Sequence, residues 1–422
     1  MENERNPRFF DQIRRLAHEG RRLARKALVA AAAVAAVLVF DACVLGSRPD
    51  ATAAGQGEPV RLLLERIMPG PMSDGIVKIA LLVNEKDGGN TWQFIEAAVL
   101  EGRSMGFTVD AFAMDAAADP EAFAELAAGI ALADYDGVVF VNGGRGFAYD
   151  VLRPMADNGI RIVTFEALPF RDGRSIPGIV TTFQDDYSLA RLSLETLVSH
   201  VCDGTGRPPR VFRVAGRPGI TFQDRHDWEF GEFARRGRIE EAGLVRVYGS
   251  ENPRLGAWEA VSAALPYFPP GSLDAVWAPG TEFAKGVADA LGHAGRSDVR
   301  LFSTGVTNES LRMMQRHRNI WTASTTVDHK LAGRVTVRIL AAMLAGETPD
   351  GDFFFEPRLV RTADLNRAVN VANLSMMLPD WPDGEGLFDG YRWMAELKAA
   401  EARFFRISPQ PASEADSEAA PR

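Results

Sequence analysis

Short runs of consecutive apolar residues, bounded by glycines and polar turns, alternate along this chain with longer stretches whose apolar positions recur every three to four residues. Continuous apolar runs of about five residues are the mark of strands buried on both faces, and the wider spacing is that of helices covering them. The pattern predicts strands over 77–83, 107–112, 137–141 and 161–165, with helices over 91–105, 120–132 and 148–157 between them. A crossing strand over 177–183 and a helix over 187–200 follow, and the rhythm then returns. Strands are predicted over 211–214, 244–249, 275–278, 299–303 and 320–324, with helices over 228–242, 257–265, 283–293 and 309–317. A helix over 330–344 is expected to go back to the first half, and a last one covers 391–405.

The halves share local detail. Asp136-Gly-Val-Val-Phe opens one strand and Asp274-Ala-Val-Trp another; each leads to a helix ending near a glycine, Gly159 or Gly295, and then to a further strand. The expected fold class is α/β, with two doubly wound parallel-sheet lobes joined by a multi-strand hinge. The lobes are expected over 76–178 plus 327–355 and over 179–326 plus 356–375. Ligands of open α/β sheets sit beyond the carboxyl ends of the strands. Two such edges facing each other make a clamp for a small molecule.

The ends of the chain have a different texture. Arg14, Arg15, Arg21, Arg22, Arg25 and Lys26 precede an apolar run over 27–40, shorter than the roughly 20 residues a membrane span requires. A basic segment before a short apolar run is the pattern of a secretory signal. Residues 1–46 are thus expected to be a signal or anchor segment, 47–75 a linker, and 376–422 a C-terminal extension with a disordered tail. Cys43 is a lipidation candidate and Ala51-Thr52-Ala53 a competing cleavage point. The expected location is the periplasm or cell envelope, with lipid anchoring through Cys43 as one of the two outcomes. Cys202 is the only other cysteine, so no disulfide is expected. A net charge of −9 gives no basic stripe for phosphates, and no nucleic-acid partner is expected.

No phosphate loop, nucleophile elbow or metalloprotease helix is present. The six histidines lack metal-site spacing, so neither a metal nor a cofactor is expected. Polar and aromatic residues do stand after the strands, where cleft loops must lie. Asn90, Trp92 and Gln93 follow the first strand. A tryptophan ring stacks on the C–H face of a polyhydroxylated ligand while amides bond its hydroxyls; for Trp92 the alternative is packing beneath the first helix. Glu166 ends another strand and offers a carboxylate to hydroxyl groups. Asp224, Arg225 and Trp228 stand near a helix start in the second half. Arg225 has a planar fork of donors, with a surface ion pair to Asp224 or Asp227 as its alternative. An enzyme would take Glu166 and Asp224 as an acid–base pair.

Several pieces, taken in order over 78–364, resemble a type I periplasmic solute-binding protein of the ribose/xylose/autoinducer-2 group. They are Lys78-Ile-Ala-Leu-Leu-Val, Asn90-Thr-Trp-Gln, Asp136-Gly-Val-Val-Phe-Val-Asn142, Ile162-Val-Thr-Phe-Glu166 and Arg225 ahead of Phe230-Gly231. Leu291-Gly-His-Ala-Gly-Arg-Ser-Asp298 and Leu344-Ala-Gly346-Glu347-Thr-Pro349 complete them. The resemblance implies that Asn90 and Trp92 hold and stack the ligand, with Gln93 and Asn142 beside them. It also implies that Glu166 accepts hydroxyls and that Arg225 bonds a ring oxygen, next to Asp224 and Trp228. Thr281 and Thr304 stand where sugar binders carry amides or carboxylates, and Thr325 falls near a usual glutamine. Each charge-assisted bond so removed is worth roughly 1.5–3 kcal/mol. The expected ligand is therefore smaller, modified or less hydroxylated than a common hexose or pentose.

The implied function is that of a monomeric exported solute-binding protein, not an enzyme. It would close on a sugar-like small molecule and deliver it to the permease of an ABC-type transporter. The alternatives are presentation of such a ligand to a membrane sensor kinase, and an enzyme on the same fold using Glu166 and Asp224.

Overall fold

The computed structural model describes residues 66–72, 76–85, 89–216, 218, 221–247, 252–347, 352–378, 381 and 391–407. The signal-like segment, both processing points with Cys43, and the tail over 408–422 lie outside them. Among the described residues no helix is long and apolar enough to cross a membrane.

Strands β1 (Lys78–Val83), β2 (Thr108–Ala113), β3 (Gly137–Gly143) and β4 (Arg161–Ala167) begin the first sheet. A small hairpin of β5 (Phe170–Arg171) and β6 (Arg174–Ser175) follows, and β7 (Val180–Gln184) rejoins the sheet. The second sheet holds β8 (Arg210–Ala215), β9 (Glu240–Arg246), β10 (Ala275–Pro279), β11 (Arg300–Thr304) and β12 (Trp321–Thr326). The chain then returns to the first sheet as β13 (Phe353–Phe355) and to the second as β14 (Arg358–Arg361). The orders are β13-β7-β4-β3-β1-β2 and β14-β12-β11-β10-β8-β9. Every pairing within them is parallel except β14 on β12. The central strands are the apolar runs of the sequence: β10 is buried along its whole length, and β1 is buried beyond Lys78.

Helices α1 (Gly89–Ser104), α2 (Pro120–Leu132) and α3 (Arg145–Asp157) belong to the first lobe. Helices α4 (Asp186–Thr205), α5 (Thr221–Arg235), α6 (Pro253–Ala264), α7 (Thr281–His293) and α8 (Asn308–Arg316) belong to the second, and α9 (His329–Leu344) lies back in the first-lobe core. Up to β14 the chain therefore passes between lobes three times: from β7 to α4, from β12 to α9, and from β13 to β14. Both crossing helices start on an aspartate cap. Asp185 accepts from the Ser188 amide, and Asp328 from those of Lys330 and Leu331, so orphan donors at each helix start are satisfied.

Two neighbouring elements shift along the chain from where they were expected. The helix predicted over 228–242 is α5, which begins at Thr221 and stops at Arg235, and the next strand begins at Glu240 rather than 244. Gly237 ends the helix in the left-handed region (φ 67°), with its amide on the Ala234 carbonyl and that of Arg238 on Phe233. Helix-favouring Glu240 to Ala242 extended the expectation; the αL glycine overrides them.

The C-terminal segment binds both lobes. Leu365, Val369, Leu378 and Trp381, with Leu374 of α10 (Leu374–Met377), join the second-lobe core. Met394 and Leu397 of α11 (Arg392–Ile407) are buried in the first-lobe core. Lys398 lies 3.1 Å from the Glu101 carboxylate, which Arg338 of α9 grips at 2.6 Å with both partners 5% exposed.

Candidate ligand-binding cleft

The strand ends of both sheets border one cavity of about 600 Å³, within the range of small-molecule sites. On the first-lobe side Glu85 follows β1, Asn142 and Glu166 lie at the ends of β3 and β4, and Gln184 closes β7. On the second, Gly280 follows β10, Thr304 and Gly305 end β11, and Thr326 ends β12.

Asn142 and Glu166 share an unusual backbone. Both are left-handed, at φ 62° and 55°, and they occupy the same level of neighbouring strands, between the pairs Val141–Phe165 and Gly143–Ala167. That conformation is tolerated by asparagine and uncommon for glutamate, and such outliers cluster at functional sites. Asn142 Nδ2 donates to Glu85 at 2.9 Å, and the Thr91 hydroxyl donates to the same carboxylate. Glu166 accepts the Gln184 amide at 2.5 Å. Burial pushes its pKa up to about 8; the Gln184 bond and the Arg225 charge work against that rise, and the Asp186 charge adds to it. Asp186 is likewise raised by burial, to about 6, although Arg225 donates to it at 3.1 Å.

The second-lobe wall is carried by α5, which presents Phe222, Gln223 and His226 to the cavity. His226 is 3% exposed and lies edge-on between the rings of Phe222 (5.9 Å) and Trp277 (6.3 Å). Among the described residues neither ring nitrogen has a hydrogen-bond partner, and neither has the buried Gln223 Oε1. Burial, helped by the charge of Arg225, pushes the imidazole pKa down to about 4, so at neutral pH it offers one donor and one acceptor. His329, at the start of α9, also lines the cavity, edge-on to Phe165, and burial lowers it to about 4. Phe94 stacks on Phe165 at 4.7 Å beneath the site.

Of the residues expected at the site, Asn90, Asn142, Glu166, Thr281 and Thr304 line the cavity; Trp92, Gln93, Asp224, Arg225, Trp228 and Thr325 do not. Helical phase is the reason for most of these. On α1, Asn90, Thr91 and Phe94 face the cleft, and successive residues differ by about 100°. Trp92 and Gln93 point elsewhere, and Trp92 is 39% exposed. On α5 the cleft face holds Phe222, Gln223 and His226, which rotates Asp224, Arg225 and Trp228 away. Arg225 instead holds Asp186 and covers the Tyr187 ring at 5.8 Å, and Trp228 meets Tyr187 edge-on at 5.5 Å. Strand alternation sends Thr326 to the cleft and Thr325 into the core, where its hydroxyl donates to the Leu189 carbonyl at 2.9 Å. Of the expected acid–base pair, Glu166 lines the cavity and Asp224 does not. Among the described residues no group of three or more His, Cys, Asp or Glu side chains could hold a metal.

Sequence reasoning missed Glu85, Gln184, Gln223, His226 and His329. The available signal was the spacing of Phe222, Gln223 and His226, legible once α5 is started at Thr221.

Two parallel-sheet lobes whose strand ends meet across a solvent-filled cavity define a clamp-type ligand-binding protein. The chain belongs to the periplasmic binding protein domain family, whose model matches residues 79–348. Among solved structures it is similar to a sugar ABC transporter from Yersinia enterocolitica subsp. enterocolitica 8081, at 27% identity, covering 79% of this chain and 98% of that one with a TM-score of 0.64. It is also similar to the 5-methylthioribose transporter solute binding protein from Thermotoga lettingae TMO in complex with 5-methylthioribose (24% identity, 78% and 99% covered, TM-score 0.57). A periplasmic ribose ABC transporter from Conexibacter woesei DSM 14684 shares 15% identity over 68% of this chain and 92% of that one, with a TM-score of 0.56. The last two likenesses speak for the fold alone. No curated protein matches the chain.

Proposed function

We propose that this protein is the solute-binding component of an ABC-type transporter, an exported monomer that closes on one uncharged, sugar-like molecule. The observation that carries this is the cavity between the lobes, lined from the first by Asn90, Asn142 and Glu166 and from the second by Gln223 and His226. Amide, carboxyl and imidazole side chains from both sides suit the hydroxyls of such a ligand. The Yersinia neighbour, named as a sugar ABC transporter, favours transport. No observation favours a sensor kinase as the partner.

The described lining residues include Glu85, Glu166 and Glu282 but no lysine or arginine, which disfavours sugar phosphates and sugar acids. Ligand contacts made by both lobes exist only in the closed form, so binding shifts the hinge population toward closure. The Arg225–Asp186 pair, at the first residue of crossing helix α4 and close behind Glu166, ties the site to the hinge. Export through residues 1–46, with or without a lipid on Cys43, completes the proposal, and no catalytic step belongs to it.

Mass spectrometry of small molecules released from the purified protein is expected to find an uncharged, polyhydroxylated compound, returned unaltered. Calorimetric titration with that compound should show a Kd raised about 10- to 100-fold in His226→Ala, equivalent to roughly 1–3 kcal/mol. Trp92→Ala should leave it within about twofold, a surface change of the kind that costs little. The opposite ranking, or conversion of the compound on incubation, would contradict the proposal.

A further inference from the structure

The first-lobe edge of the cleft carries two carboxyl groups that are held in different ways. Glu85 Oε2 accepts from Asn142 Nδ2 at 2.9 Å and from the Thr91 hydroxyl, a surrounding of side-chain donors that suits an acceptor. Glu166, two strands away, has one donor, the Gln184 backbone amide on Oε1. Its other oxygen has no partner among the described residues, and Glu166 lines the cavity without being fully buried. The same Gln184 donates from Nε2 to Asp186 Oδ1 at 3.1 Å, which sets a second carboxyl beside that of Glu166. One cation serves the pair. Arg225 gives Nη1 to Asp186 Oδ2 at 3.1 Å and lays its guanidinium over Tyr187, and among the described residues no lysine or arginine lines the cavity. Two neighbouring carboxyls sharing one guanidinium hold one negative charge readily and a second with difficulty. Asp186 has the ion pair, so the proton belongs on Glu166.

We propose, resting on the solute-binding reading above, that Glu166 meets the solute as the neutral acid and donates a hydrogen bond to it from the oxygen that Gln184 leaves free. A protonated carboxyl is a donor that keeps acceptor capacity, and the Gln184 amide uses the latter. The solute oxygen set against Glu166 then needs no hydrogen of its own. A ring or carbonyl oxygen fits there, while hydroxyls fit Glu85. The surroundings hold the proton in place. Burial favours the acid form most, and the Asp186 charge adds to it; the Gln184 bond and the Arg225 charge oppose it without prevailing. Of the other titratable groups at the cavity, His226 on α5 and His329 on α9 are neutral at pH 7 and above. Glu282 on α7 is held by Lys285 at 2.5 Å, and Glu85 after β1 brings a further carboxyl rather than a cation.

Infrared spectroscopy of the solute-free protein at pH 7 is expected to show the C=O stretch of a protonated carboxyl that is absent from Glu166→Gln and fades toward pH 9. Calorimetric titration with ribose, galactose and the compound released from the protein reads the donor role. For whichever binds, Kd should be about tenfold higher at pH 9 than at pH 7, the ratio for one required proton lost near pH 8. Binding at pH 9 should also take up a proton, seen as a heat that changes with the buffer. In Glu166→Gln, whose amide donates at both pH values, the ratio should fall to about one. A wild-type affinity that holds or tightens toward pH 9 would mean that Glu166 accepts as a carboxylate. That result, or a missing infrared band, overturns this inference and leaves the solute-binding reading standing. Failure of the folded protein to bind any of the three compounds overturns both.

Discussion

Between about pH 6.5 and 8 the stability of the protein is expected to fall as pH rises, by up to about 1.4 kcal/mol per pH unit, and Glu166→Gln should flatten that slope. The sign follows from proton counting. Glu166 has its pKa raised from 4.5 to about 8, so between those values the folded state keeps a proton that the unfolded chain has released. Its contribution is complete below pH 4.5 and is lost as pH climbs through 8. Asp186, raised from 3.8 to about 6, acts the same way in a lower window. His226 and His329 are lowered from 6.5 to about 4 and act in the opposite sense: their stability is lost as pH falls through that interval. The opposing effects overlap below pH 6.5. Above it, Glu166 is the shifted carboxylate that still titrates. Glutamine keeps an acceptor for the Gln184 amide and removes the proton. Urea denaturation at pH 6.5, 7.2 and 8.0 reads the slope, and an identical slope in wild type and variant would show that Glu166 titrates as an ordinary surface acid.

Gly333→Ala is expected to destabilise the protein by about 2–3 kcal/mol, at the upper end of overpacking costs. A Cβ at Gly333 of α9 would lie 2.3 Å from the Phe94 carbonyl oxygen and 3.1 Å from the Ala98 amide nitrogen, both in the backbone of α1. Backbone cannot rotate aside as a side chain can, so the two helices must separate. The gain of about 1 kcal/mol in helix propensity from glycine to alanine offsets only part of this. The second lobe has a counterpart: a Cβ at Gly286 of α7 would meet the Arg254 carbonyl of α6 at 2.2 Å. Both crossings carry a functional consequence, because α1 holds Asn90, Thr91 and Phe94 at the cavity and α7 holds Thr281, Glu282 and Phe283. Gly333→Ala should therefore weaken solute binding several-fold as well. Equilibrium unfolding and titration together check this; a neutral variant would mean that α1 and α9 have slack at their crossing.

The architecture was legible because parallel strands buried on both faces tend to be continuous apolar runs, and β1, β3 and β10 are such runs. The site was legible only at strand ends. Asn142 and Glu166 could be placed because a residue that directly follows an apolar run lies at the sheet edge whatever its phase. Positions on helices were not fixed in this way, since an error in a helix start turns every side chain by about 100° per residue. Expecting α5 to begin at 228 instead of Thr221 brought Arg225 forward and hid His226. Thr325 and Thr326 show the same difficulty for a strand, where a slip of one residue exchanges core for cleft. The attachment of α11 to the first lobe was equally hidden, because Met394 and Leu397 mark an apolar face without naming the surface that covers it.

Small-angle X-ray scattering of the solute-free protein, titrated with the compound recovered from it, tests the two-lobed clamp most directly. The radius of gyration should contract and level off at one molar equivalent, and His226→Ala should need proportionately more solute to reach the same end point. Saturable one-to-one binding with no contraction, or contraction unaffected by His226→Ala, would contradict a cavity that closes on its solute.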